Sequence, residues 1–168
     1  MKTEIHRPAE GIAIIDRVID QPGIETLEGR IGPLLFGAHV QAHYLDLPPG
    51  LYTPEHPHET ESIIYTVRGR WVLCSDGKRH IMEPGSLFWF GPNIATGYEV
   101  PFDEPAYIIA FKGKMAESAE EMIDYLENKM APHLEEEHEQ GEAFLLAELS
   151  EDHPARVFAR QVNPASSP

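Results

Sequence analysis

The stretch Gly50-Leu-Tyr-Thr-Pro-Glu-His56-Pro-His58-Glu-Thr-Glu-Ser62-Ile-Ile-Tyr-Thr-Val-Arg-Gly69 holds the densest set of polar and ionisable side chains in the middle of this 168-residue chain. In a strand, residues two apart point to the same side, so His56 and His58 present two imidazoles to one point. Such a pair suits a divalent metal. Neutral imidazole ligates zinc, iron, nickel and manganese, and two or three histidines with a carboxylate make a common open-sided catalytic centre. The competing reading is a surface loop, because Pro54, Glu55, Pro57 and Glu59 are loop-forming company.

Working outward, residues 34 to 112 alternate short apolar runs with Gly32-Pro33, Pro48-Pro49-Gly50, Gly69, Asp76-Gly77, Pro84-Gly85, Gly91-Pro92, Pro101 and Pro105. Short strands with turn signals at this spacing predict an all-β sandwich or barrel. Asp76-Gly77 tolerates the positive φ angles of a type I′ turn, which predicts a hairpin of Trp71 to Ser75 with Lys78 to Glu83. Leu87 to Phe90 is expected as a buried strand, with Phe88, Trp89 and Phe90 in the core. Past Lys114 the period changes: Met115, Ala119, Met122, Ile123, Leu126 and Met130 mark one helix face, with Ser118 and Glu121 as capping box and Pro132 as its end. Glu142 to Leu149 reads as a second short helix, Pro154 to Val162 as helix or strand, and Asn163 to Pro168 as disordered. Residues 1–114 are thus expected to form a β-barrel domain with an N-terminal arm, and 115–168 an acidic, mainly helical extension.

Charge bounds the partners. The chain has 28 acidic residues against 13 Lys and Arg, a formal charge of −15. Nucleic acid and anionic membrane surfaces would be repelled, since both are bound through basic side chains. Residues 117 to 152 hold 13 Asp and Glu and one base, Lys129, and so carry −12 of that charge. They read as a solvated helical face or as an arm laid across a partner barrel. Cys74 is the single cysteine, which excludes an internal disulfide and any CxxC motif and fits a reducing compartment. The N-terminus has no apolar core like that of a signal peptide, and the longest apolar runs are strand-sized. A cytoplasmic protein is expected.

The quoted stretch resembles the first motif of the cupins, small double-stranded β-helix (jelly-roll) barrels. That motif runs Gly, five residues, HxH, three or four residues, Glu, six residues, Gly. Gly50, His56, His58 and Gly69 fall on it, while the family's Glu ligand falls on Ser62. In the second motif Gly85 leads, Gly91 stands where the family has Pro, Asn93 where it has Gly, Thr96 where it has its third histidine, and Val100 where it has Asn. The resemblance covers residues 34 to 112 and implies the barrel fold more strongly than the metal site.

Two of the four metal ligands that the resemblance implies are thus hydroxyls. On the preceding strand Leu47, Leu45, His43, Gln41 and His39 share one parity, so His43 is a candidate third ligand beside His56 and His58, with Gln41 lining the same interior. The alternative places His39 and His43 on the outer sheet face. Ser62, Thr96 and Tyr98 would give a mixed pocket of hydroxyls among apolar walls, suited to a small molecule. Arg68 has interior parity for clamping a substrate carboxylate, or is a solvated strand-end charge. Three functions follow: an enzyme with a mononuclear Fe, Zn, Mn or Ni site on His56 and His58, completed by His43 or a nearby Glu, acting on a small organic acid, sugar or aromatic compound as dioxygenase, isomerase or lyase; a metal-free cupin in which His56 or His58 abstracts a proton and Tyr98 or Tyr52 donates one, the histidine being held by Glu59 or Glu61; and a non-catalytic ligand-binding protein. The resemblance, with the apolar helix face, also implies a homodimer.

Overall fold

The computed structural model describes residues 4–165, in which alternating apolar residues form ten strands. They are β1 (Ile24–Thr26), β2 (Gly29–Phe36), β3 (Val40–Leu47), β4 (His56–Pro57), β5 (Ser62–Arg68), β6 (Trp71–Ser75), β7 (Lys78–Met82), β8 (Leu87–Phe90), β9 (Ala95–Glu99) and β10 (Ala106–Gly113). A six-stranded sheet in the order β1-β2-β3-β10-β5-β8 faces a four-stranded sheet in the order β4-β9-β6-β7. Leu47, Ile64, Trp71, Met82, Phe90, Val100 and Ile108 fill the space between them. The buried Trp71 indole donates to Thr66 Oγ1 at 2.9 Å, so its one polar atom is satisfied inside that core. The all-β jelly-roll expectation holds.

Local chemistry placed several elements where the sequence suggested. Asp76 and Gly77 carry φ of 53° and 68° and close the β6–β7 hairpin. Gly69 has φ of +72°, and a Cβ there would stand 2.1 Å from the Pro105 carbonyl oxygen, so only glycine lets β5 turn away beside β10. The helical extension begins at α1 (Ala119–Tyr125), where Ser118 Oγ accepts from Glu121 N. Glu121 completes only half a capping box, since its carboxylate accepts from Glu117 N at 2.7 Å.

Other expectations are corrected. Pro132 does not end the helix. A π-helical turn, Leu126–Met130, leads directly into α2 (Ala131–Glu139), so the helix continues through Pro132, the π turn just before it interrupting the regular hydrogen-bond ladder. The segment Glu142 to Leu149 yields only a 3-10 turn at Leu146–Glu148, and Pro154–Val162 is a helix, α3. Asn163, expected in a disordered tail, donates through Nδ2 to the Pro101 carbonyl at 3.0 Å; residues 166–168 lie outside the described residues. Met115 precedes the helix and is exposed, while Met122 and Leu126 pack on Ile31 and Ile24 of this same barrel. The apolar helix face is therefore covered within the chain. Trp89 and Leu87 point outward, at 62% and 63% exposure, because strict alternation along β8 turns Phe88 and Phe90 inward.

Candidate functional site

Register aligns the inner face of the larger sheet in rows. Across β3, β10, β5 and β8 the residues Gln41, Lys112, Ser62 and Phe90 are direct partners, and the next row is His43, Ala110, Ile64 and Phe88. Partners directly opposite share a face, so each row is a line of side chains directed into the barrel. From the smaller sheet, His56 stands opposite Thr96, and Tyr98 shares their parity on β9. The imidazoles of His56 and His58 lie with ring centroids 4.7 Å apart, and His58 stacks obliquely on Phe90 at 5.8 Å. His56, His58, His43, Ser62, Thr96 and Tyr98 thus line one end of the barrel interior.

Burial sets the protonation states. His43 is pushed down to about 3, first by burial and then by the positive charge of Lys112 and by His58. His58 is lowered to about 4 by burial, His56 and Lys112. Both are neutral at pH 7. Burial pushes the Tyr98 phenol up to about 12, so it keeps its proton; the Thr96 hydroxyl lies beside it without a hydrogen bond of ordinary geometry. His56 Nδ1 lies 3.0 Å from the Pro54 carbonyl oxygen, which can only accept. The proton therefore resides on Nδ1, and Nε2 carries the free lone pair.

One residue at this end was not suspected from the sequence. Glu28, in the β1–β2 turn, is half-buried and interacts electrostatically with His56 and Tyr98. Burial raises its pKa, His56 opposes that rise and Glu137 of α2 adds to it. The carboxyl that acts electrostatically on His56 is Glu28; Glu59 is exposed, and Glu61 accepts from the exposed Trp89 indole at 2.7 Å.

The remaining candidates lie elsewhere. Tyr52 faces the C-terminal extension, edge-on to His153 with centroids 5.5 Å apart, and is no partner for the histidine pair. His39 precedes β3 and is exposed. Arg68 loses its interior parity at a register shift between Tyr107 and Ile108, which turns it outward, 3.7 Å from Asp46 Oδ1. Gln41 is buried, but its Oε1 accepts from Met115 N at 2.7 Å and so ties the helical extension to the barrel. Cys74 Sγ donates to Glu55 at 2.9 Å and is held at about 12 by burial and that bond, a packed residue as expected.

A mononuclear metal requires at least three donors within about 2.0–2.3 Å of one point. His56 and His58 make a close pair, and His43 Nδ1 is buried without a hydrogen-bond partner. Yet among the described residues no three His, Cys, Asp or Glu side chains converge as a metal-binding group. The remaining neighbours are the hydroxyls of Ser62 and Thr96, poor ligands when neutral. As arranged, the donors do not fit the three-histidine centre that the sequence suggested.

Two facing antiparallel sheets with a polar cluster at one end of their interior define a jelly-roll barrel. Residues 43–112 match the Cupin_2 model, which identifies this stretch of the chain as a cupin domain. The polyketide cyclase RemF from Streptomyces resistomycificus is similar in structure, with 16% identity, a TM-score of 0.53, and 70% of this chain and 95% of that chain covered. A Cupin 2 conserved barrel domain protein from Salinispora arenicola gives 23% identity and a TM-score of 0.52 over 72% of this chain and 98% of that one. At these identities the likeness is one of fold. No curated protein matches the chain. Among the described residues no helix is long and apolar enough to cross a membrane.

Proposed function

We propose that this chain is a small-molecule enzyme of the isomerase or lyase type, with His56 as proton acceptor and Tyr98 as proton donor inside the cupin barrel. The observation that carries this reading is the bond from His56 Nδ1 to the Pro54 carbonyl, which leaves Nε2 as a base on the face that also bears Tyr98. A proton taken from a substrate carbon by Nε2 and a proton given by the phenol to the developing oxyanion or carbanion is the division of labour that general acid–base catalysis requires. Tyr98, raised by burial, gives its proton only to a strong base such as that intermediate. The Pro54 carbonyl orients His56, and the charge of Glu28 acts on it from a distance, favouring the imidazolium formed in the first step.

The test is hydrogen exchange. Sugars, hydroxy acids and hydroxylated aromatic compounds are incubated with the untagged protein in D2O, and deuterium uptake at carbon is read by NMR. His56→Gln and Tyr98→Phe are each expected to slow the exchange by about 10²-fold or more. Exchange that survives both substitutions overturns the assignment. Near-stoichiometric metal in the untagged protein, lost in His56→Ala/His58→Ala, would replace it with the metalloenzyme reading.

We propose in addition that the chain forms a homodimer and works in the cytoplasm. Ile63, Tyr65, Leu87, Trp89 and Phe111 leave an apolar area on the outer face of the larger sheet, larger than scattered surface residues make. Sedimentation equilibrium is expected to give twice the chain mass, and Trp89→Glu/Phe111→Glu to give the monomer. A wild-type monomer would leave that face without this role. The lone Cys74 thiol, with no partner cysteine, suits a reducing compartment.

A further inference from the structure

We infer that Lys112 makes the barrel pocket a receptor for small-molecule carboxylates, its ammonium anchoring the substrate's anionic end. This rests on the reading that the pocket takes a small molecule, and it names the class of that molecule. Lys112 is held inside by register: it alternates with Ala110 and Ile108, both core residues, and stands between Gln41 and Ser62. Its positive charge acts on His43 and His58, the buried imidazoles of the same interior. Among the described residues no carboxylate pairs with it. That is unusual for a chain of −15 that gives its other half-buried cations partners: Arg79 bonds Glu99 at 2.8 Å, Arg30 bonds Asp46 at 3.2 Å and Lys114 bonds Glu117 at 2.7 Å.

Among the described residues no carboxylate forms an ion pair with Lys112 from within the barrel. His43 and His58 are neutral, and Glu28, which acts electrostatically on His56 and Tyr98, is pushed toward its neutral form by burial and by Glu137. A half-buried ammonium on the same inner face as neutral imidazoles, a serine and Phe90, with no carboxylate partner among the described residues, is an incomplete ion pair. Burying an unpaired charge is costly, and a ligand of opposite sign removes that cost. A monoanion of carboxylate geometry completes one ammonium; a phosphate dianion would leave a net negative charge among apolar walls. With its carboxylate on Lys112, a substrate carries its reacting carbon toward His56 and Tyr98, and the neutralised carboxylate makes an adjacent C–H easier to deprotonate.

Calorimetry on the full chain tests this with benzoate, gluconate and pyruvate, each against its neutral amide, and with phenyl phosphate. At least one carboxylate is expected to bind about ten times or more tighter than its amide. Lys112→Met is expected to abolish that difference, and Lys112→Arg, which keeps the charge, to preserve most of it; circular dichroism confirms that the variants are folded. Equal binding of acids and amides, no Lys112-dependent binding of any of the three carboxylates, or tighter binding of phenyl phosphate than of benzoate would each overturn the assignment. The two readings fail separately. Lys112-dependent carboxylate binding without carbon-bound proton exchange would sink the acid–base mechanism alone, and exchange in a protein indifferent to Lys112→Met would sink the carboxylate anchor alone.

Discussion

Arg79→Met is expected to lower the unfolding free energy by about 3–5 kcal/mol, read by urea denaturation at pH 7, since breaking one side of a buried ion pair leaves a charge without compensation. Arg79 and Glu99 lie on β7 and β9, with side chains only 10% and 2% exposed. The guanidinium grips the carboxylate with its fork: Nε is 3.1 Å from both oxygens and Nη2 is 2.8 Å from Oε1. Without it, Glu99 would either remain charged in the interior or take up a proton. The double variant Arg79→Met/Glu99→Met is expected to regain most of the loss, because two apolar side chains of similar volume leave no charge to desolvate. The coupling energy from the cycle measures the pair itself. A loss below about 1 kcal/mol in Arg79→Met would mean that water reaches the pair and that the sheet does not depend on it.

Acid is expected to destabilise the barrel through His43 and His58. In the unfolded chain each titrates near 6.5, whereas in the fold they titrate at about 3 and about 4. Between those values the unfolded state binds more protons, so stability rises with pH. Their contribution is complete above about pH 6.5 and is lost progressively as pH falls toward 4. For each imidazole that stays neutral in the fold, a fall of one pH unit below 6.5 removes about 1.4 kcal/mol, so the two together account for a loss on the order of 3–6 kcal/mol by pH 4. Other groups titrate in the same range, and a variant separates them. His43→Leu/His58→Phe is expected to show a shallower fall than the wild type between pH 6.5 and 4. Parallel curves for the two proteins would show that these imidazoles do not resist protonation.

How much of this was legible in the chain depends on the range of the physics involved. The Asp76-Gly77 hairpin, the capped start of α1 at Ser118 and the switch of period after Lys114 are set by neighbours in sequence, and they stand where local reading puts them. Parity along β3 placed His43 inside with Leu45 and Leu47 for the same reason. Local reading failed where a tertiary feature broke alternation or continuity. A register shift at Tyr107/Ile108 turned Arg68 outward, a π turn carried the helix past Pro132, and Trp89 followed the pleat to the surface although its hydrophobicity suggested the core.

The residue pattern by itself determined the barrel, its HxH corner and the acidic extension, because turn chemistry and strand periodicity act over a few residues. Lys112 shared the inward parity of Ile108 and Ala110, a signal within reach of the same argument. Its meaning, however, lay in what stands opposite, and Gln41 and Ser62 reach it only through strand register. Glu28 likewise acts on His56 only because the fold brings the β1–β2 turn toward that end of the barrel. That His43 forms no metal-binding group with His56 and His58 among the described residues also depends on how separate strands are placed in space. Tertiary structure alone decided these points, since burial, charge pairing and donor convergence are properties of groups distant in sequence and adjacent in space.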